Sequence, residues 1–169
     1  AIVTGMLPNG QRVTEIWCFV PGLNWLRVNL GVGLAYSDVS TGDIDNDGDL
    51  DVFVTNHDHA SQMFLNDGSG HYTDITPTIG FDIQNMIPLQ SALEDFDNDG
   101  YVDLMVAGSK GRMFHNNGNR TFTEVQVAFN ADSLETFAIG DLNHDGFIDI
   151  YAGYGLIYAV PSTHPDTIW

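Results

Sequence analysis

Basic side chains are scarce: five Lys and Arg stand against 23 Asp and Glu in 169 residues, a formal net charge of −18. Duplexes are bound chiefly by neutralising phosphates with such side chains, so this balance excludes a nucleic-acid-binding domain and argues equally against an anionic membrane surface. Long apolar runs are missing as well. None approaches the roughly 20 residues that span a bilayer, and no charged-then-apolar leader precedes Ala1, so membrane insertion is not expected and a soluble chain is. A start at Ala1 rather than Met fits either a processed mature chain or a piece cut from something larger. The one cysteine, Cys18, cannot form an internal disulfide and reads as a small buried hydrophobe within IWCFV, which leaves the redox compartment open. Helix signals are weak, with 18 Gly, six Pro, and apolar stretches (VFVT, LMVA, IDIYAG) that are short and rich in β-formers. GxSxG, HExxH and phosphate-cradling glycine loops are absent too, and no enzyme is expected.

What is present is a core's worth of apolar material, 43% hydrophobic and 11% aromatic, and a repeat. Three segments align without gaps: GDIDNDGDLDVFV from Gly42, EDFDNDGYVDLMV from Glu94 and GDLNHDGFIDIYA from Gly140. Each follows a short apolar stretch, and the first two lead into MFLNDGSGHYTDI from Met63 and MFHNNGNRTFTEV from Met113, each with an N-x-G turn at Asn66 or Asn116. A unit of about 50 residues that reads strand, acidic loop, strand, turn, strand, turn, strand is the signature of a propeller blade. The expected fold is therefore all-β, with blades of four-stranded antiparallel sheet, as a partial propeller or repeat array. A generic sandwich with acidic turns explains the strands but not three copies of one nine-residue loop.

The loops have the form DxDxDGxxD. Positions 1, 3, 5 and 9 are Asp43, Asp45, Asp47 and Asp51, then Asp95, Asp97, Asp99 and Asp103, then Asp141, Asn143, Asp145 and Asp149. Alternate carboxylates on a tightly curled segment converge, and the Gly at position 6 (Gly48, Gly100, Gly146) supplies the positive φ that the curl needs. Position 7 varies (Asp49, Tyr101, Phe147), as a residue offering only its backbone carbonyl would. Hard oxygen donors without Cys or His select Ca²⁺ over zinc or copper, and Mg²⁺ demands a stricter octahedron. About three calcium ions are expected. Two carboxylates about 5 Å apart repel by roughly 3 kcal/mol at an effective dielectric near 20, which makes a cation in each loop close to obligatory. An EF-hand needs a bidentate Glu at position 12, where Val54, Val106 and Ala152 stand here.

On these loops and the N-x-G turns, the chain from about Gly31 to Trp169 resembles the FG-GAP/VCBS repeat family, the calcium-binding blades of integrin α-subunit propellers and of many secreted bacterial and fungal proteins. The resemblance implies Ca²⁺ held by positions 1, 3, 5 and 9 with the carbonyl of 7, and a secreted or cell-surface location. Loop 3, with Asn143 and His144, departs most and is expected to bind weakest. The segment NWLRVNLG, from Asn24, is similar to one found where such repeats accompany an ASPIC/UnbV-type region.

The expected organisation is an N-terminal β segment, 1–30, and repeats at about 31–82, 83–132 and 133–169, the last incomplete because it stops at DTIW. An incomplete sheet leaves an edge that templates pairing, and residues 1–30 are candidates to fill it in their own or a neighbouring subunit. The expected function is an extracellular, calcium-stabilised module with a structural or adhesive role that self-associates by strand completion. Alternatives are a lectin-like module, with Trp17, Trp25, Trp169, Tyr151, Tyr154 and Tyr158 as candidate sugar platforms, and a non-catalytic domain of a larger secreted enzyme. The pair His57 and His59 around Asp58 reads as a polar rim loop, with a transition-metal site the other reading, while His71, His115 and His164 occur singly. Asn119-Arg120-Thr121 is an N-glycosylation sequon in a predicted turn.

Overall fold

The structure, a computed structural model, describes residues 38–57, 59–81, 83, 86–127 and 134–154 in full, and the backbone alone of strands at 2–6, 12–20, 24–29 and 167–168. Four antiparallel sheets follow one another, each joining strands in chain order. The first is a meander of β1 (Ile2–Met6), β2 (Arg12–Val20) and β3 (Asn24–Asn29). The next two are four-stranded: β4 (Val39–Gly42), β5 (Asp51–Val54), β6 (Gln62–Asn66) and β7 (Tyr72–Asp74), then β8 (Pro88–Glu94), β9 (Asp103–Gly108), β10 (Arg112–Asn116) and β11 (Phe122–Val125). The fourth joins β12 (Leu134–Gly140), β13 (Asp149–Tyr154) and β14 (Thr167–Ile168). Among the described residues there is no α-helix, and none long and apolar enough to cross a membrane; the one helical element is a 3-10 turn at Thr76–Thr78. The fold is all-β, built of propeller-type blades.

The unbroken apolar runs of the central strands have a simple cause. Every residue of β5 and β9 is buried, and β9 has a core on each of its faces. In β9, Leu104 and Val106 join a core with Ile44, Phe53 and Phe114, while Met105 and Ala107 join Leu134, Phe137 and Ile150 on the other side. The period of two is intact, yet both phases are apolar, as in any strand with no wet face. Phe81, between the two four-stranded blades, packs its ring 4.6 Å from that of Phe114 and 5.7 Å from that of Phe122.

Hydrogen bonds tie first strands together. Ser91 donates from N and Oγ to Asp38 Oδ2 at 2.7 and 3.1 Å. Gln90 pairs with the backbone of Phe137, its Oε1 accepting from N at 2.9 Å and its Nε2 donating to the carbonyl at 3.0 Å. Gly42, the last residue of β4, has no room for a side chain: a Cβ there would lie 2.8 Å from both Leu93 Cβ and Val102 Cγ1 of the next blade. In each of the last three sheets the acidic loop links the first strand to the second, so the topology carries all three loops to one end.

Candidate metal centres

The three loops curl by the same backbone device. The carboxylate at position 1 accepts from the N–H groups of positions 5 and 6: Asp43 from Asp47 and Gly48 at 3.1 and 2.9 Å, Asp95 from Asp99 and Gly100 at 3.1 and 2.9 Å, Asp141 from Asp145 and Gly146 at 3.1 and 3.0 Å. Position 5 accepts from the N–H of position 7 in each loop. The position-6 glycines have φ of 95°, 92° and 89°, the left-handed region that a Cβ disfavours. Position 4 is left-handed too, at 58° for Asn46, 59° for Asn98 and 62° for His144.

Position 9 opens the second strand and anchors the loop. Asp51, fully buried, accepts Ile44 N–H at 2.9 Å and Asn66 N–H at 2.8 Å. Asp103 repeats the pattern with Phe96 at 3.3 Å and Asn116 at 2.8 Å, and Asp149 accepts from Leu142 at 2.8 Å. Position 12, Val54, Val106 or Ala152, is wholly buried in the strand and offers no ligand. Position 7 side chains lie over the turn glycines, Asp49 beside Gly68 and the Tyr101 ring beside Gly118, while Phe147 is exposed.

These bonds bring donors together. Asp43, Asp45 and Asp51 present oxygens within 4.8 Å of one another, as do Asp95, Asp97 and Asp99. A third group joins Asp97 and Asp103 to His115. Among the described residues no such group forms in loop 3, where Asn143 replaces the third-position Asp and its Nδ2 donates to Asp145 Oδ2 at 3.0 Å.

The first cluster fits a cation by a specific observation. Asp45 has a side chain only 6% exposed, and its Oδ1 is fully buried without a hydrogen-bond partner. A carboxylate oxygen only accepts, so nothing but a donor or a cation relieves it, and its neighbours in the cluster are carboxylates. Burial pushes the Asp51 carboxyl up to about 6, with the charges of Asp45 and Asp47 adding to the rise, against the opposing pull of two backbone N–H groups. Asp103 is raised by burial in the same way, with Asp97 adding.

Each loop is also held by its neighbour. Asn46 Nδ2 donates to the Gly100 carbonyl at 2.9 Å, and Asn98 Nδ2 to the Gly146 carbonyl at 2.9 Å, so position 4 of one loop grips position 6 of the next. Asn116 Nδ2 reaches back to the Ile44 carbonyl at 2.8 Å. Arg120, in the β10–β11 turn, sets its guanidinium on Asp45 Oδ2 at 2.8–2.9 Å. Neither Arg120 nor His115 stands out in the sequence by itself. The signal lay in the repeat alignment, where Arg120 falls opposite Gly70 and His115 opposite Leu65.

The other candidates are scattered. Asn119 is exposed in its turn, its Oδ1 accepting from Thr121 N and Oγ1 at 3.1 and 2.6 Å. His57 is half-buried and His59 exposed, while Asp58 lies outside the described residues, and among those described no three-donor group includes either histidine. Tyr151 is exposed and Tyr154 half-buried; the side chains of Trp17, Cys18, Trp25, Tyr158, His164 and Trp169 lie outside the description.

A model of the FG-GAP-like repeat matches residues 43–106 and again 95–152, each match running from one acidic loop into the next. The chain is also 27% identical over 133 residues to cartilage acidic protein 1 of Xenopus tropicalis, a match covering 75% of this chain and 20% of that protein, so it spans about a fifth of the relative's length. With the repeat model covering more than half of the chain on the loops and strands whose geometry is given above, the protein belongs to the FG-GAP-like repeat family.

Proposed function

We propose that this chain is an extracellular, non-catalytic repeat module stabilised by calcium, with a structural or adhesive role. The observation that carries the reading is the buried, partnerless Oδ1 of Asp45 inside a cluster of carboxylates. Calcium would be held by positions 1, 3, 5 and 9 of each loop with the carbonyl of position 7: Asp43, Asp45, Asp47, Asp51 and Asp49 in loop 1, Asp95, Asp97, Asp99, Asp103 and Tyr101 in loop 2, Asp141, Asn143, Asp145, Asp149 and Phe147 in loop 3. The ion supplies the positive charge that these loops lack, and the backbone bonds to positions 1 and 9 aim the oxygens before it arrives. With a dissociation constant of about 10⁻⁴ M in millimolar calcium, each site adds about 1.4 kcal/mol to folding stability. Millimolar calcium is an extracellular condition, and a relative named for cartilage and acidity supports that setting. Titration calorimetry tests the sites. Asp97→Ala combined with Asp99→Ala is expected to remove one equivalent of bound Ca²⁺, and an unchanged stoichiometry overturns the loop assignment.

Self-association by strand completion belongs to the same proposal. The fourth sheet has three strands among the described residues where its two predecessors have four, and its last strand, β14, pairs with β13 only through Tyr151↔Ile168 and Ala152↔Thr167. An edge so thinly covered accepts a further strand. Light scattering in calcium and after chelation is the check: an assembly above monomer mass that dissociates without calcium is expected, and a monomer in calcium sinks this part of the reading.

A further inference from the structure

Loop 2 differs from loop 1 in one donor, and that donor is a nitrogen. In the second blade β9 pairs with β10 at Leu104↔Phe114, and in the first β5 pairs with β6 at Val52↔Phe64. The same register, carried one residue further, sets His115 across from Asp103 and Leu65 across from Asp51. The position that faces the anchoring carboxylate is thus an imidazole in one blade and a hydrocarbon in the other.

The geometry is that of a ligand set. His115 Nδ1 is 3.2 Å from Asp97 Oδ2 and 3.4 Å from Asp103 Oδ1, fully buried, and hydrogen-bonded to neither. A four-coordinate ion with bonds of about 2.0–2.1 Å spaces its donors about 3.3 Å apart, which matches both separations. Spacing alone also admits a larger ion; the nitrogen decides the class, because imidazole suits zinc, cobalt, nickel and copper while calcium prefers hard oxygens. The second ring nitrogen, Nε2, lies 3.9 Å from Asp99 Oδ2, beyond hydrogen-bond reach. Asp97 is exposed, so an ion has a way in.

We infer that loop 2 takes a borderline divalent transition ion of the zinc class through His115 Nδ1, Asp97 and Asp103, in competition with calcium, and that loop 1 does not. This rests on the reading of the loops as metal sites and adds the ion that distinguishes them. The experiment uses the metal-free chain, Co²⁺ as a spectroscopic probe, Zn²⁺ in calorimetric titration, and Ca²⁺ in parallel. His115→Leu installs the residue that blade 1 already carries, and is expected to weaken Co²⁺ and Zn²⁺ at one site by about tenfold or more with loss of the cobalt d–d band, while Ca²⁺ stoichiometry is kept. Leu65→His is expected to create a second Co²⁺ site. A cobalt spectrum and affinity unchanged by His115→Leu, or no gain in Leu65→His, overturns the inference. Failure of the calcium reading shows separately, as wild-type chain that binds no Ca²⁺ yet keeps the His115-dependent cobalt site.

Discussion

Loops 1 and 2 are nearly the same nonapeptide, with the same curl, the same position-6 glycine and the same anchoring of position 9, yet they meet different neighbours. Asp45 of loop 1 faces the Arg120 guanidinium from the turn of the following blade. Asp97, its counterpart in loop 2, faces His115 from its own blade. The loop sequence therefore fixes where the oxygens go, and the residues around it fix how much charge is left for an ion and which ion suits it. Arg120 carries a further sign of its role. It sits at φ 67°, where the equivalent residue of the first blade is Gly70 at 86°. A left-handed Arg costs on the order of 1 kcal/mol, which the contact with a buried carboxylate offsets.

The largest expected effect tests what the two loops share. In saturating calcium, Asp51→Ala and Asp103→Ala should each lower unfolding free energy by about 3–4 kcal/mol, since each strips the acceptor from two backbone N–H groups and removes a ligand. Asp149→Ala in the exposed third loop should cost about half as much, and urea denaturation of the three variants ranks them. Equal losses in all three would break the distinction between the first two loops and the third.

Proton linkage comes next. Asp51 titrates at about 6 in the folded chain against an ordinary 3.8, so between those values the folded state binds more protons than the unfolded one. Its contribution is thus fully present below pH of about 4 and lost as pH rises through 6, a fall of about 2–3 kcal/mol in chelator. Saturating calcium, which holds Asp51 ionised, should flatten that slope. A metal-free chain whose stability rises across the window would contradict the burial of this carboxylate.

Arg120→Gly sharpens the comparison directly, because glycine already occupies the matching turn position of blade 1. Without the guanidinium, loop 1 should bind calcium about fivefold more tightly, with loop 2 unmoved. Weaker binding would mean that Arg120 positions Asp45 rather than competes for it. The smallest effects belong to Asn46→Gly and Asn98→Gly, which keep the left-handed backbone and delete one bond between loops. Each should cost about 0.5–1 kcal/mol, with a matching loss of cooperativity in calcium titration.

Much of this was legible beforehand, and the reason is the repeat. Three copies of DxDxDGxxD bring the curl, the converging carboxylates and the positive φ at Gly48, Gly100 and Gly146 within reach of the sequence, because those are local consequences of spacing. The strands were legible from VFVT and LMVA for the same reason. Contacts between repeats were not. Asn46, Asn98 and Arg120 act across 54, 48 and 75 positions of sequence, and His115, within its own blade, across up to 18; no local pattern encodes such distances. For Arg120 and His115 the signal is the exception within the alignment, a charged or imidazole side chain where the sister blade has Gly or Leu, whereas Asn46 and Asn98 are the same residue in both loops. The left-handed conformation at position 4 is not dictated by the spacing either, although Asn is among the non-glycine residues enriched there.

The bond from one loop to the next has a direction: the fourth residue gives and the sixth receives, first from Asn46 to Gly100 and again from Asn98 to Gly146. Both halves of the joint are written in the first two copies of the motif, while the third, with His144 at its fourth position, keeps only the acceptor glycine. A unit like the second, spliced between two others, therefore arrives with its donor facing one neighbour and its acceptor facing the other, and no compensating change is required on either side. A joint of this kind lets a family vary the number of its units while keeping each seam intact, and the grammar of the array is contained in a single word.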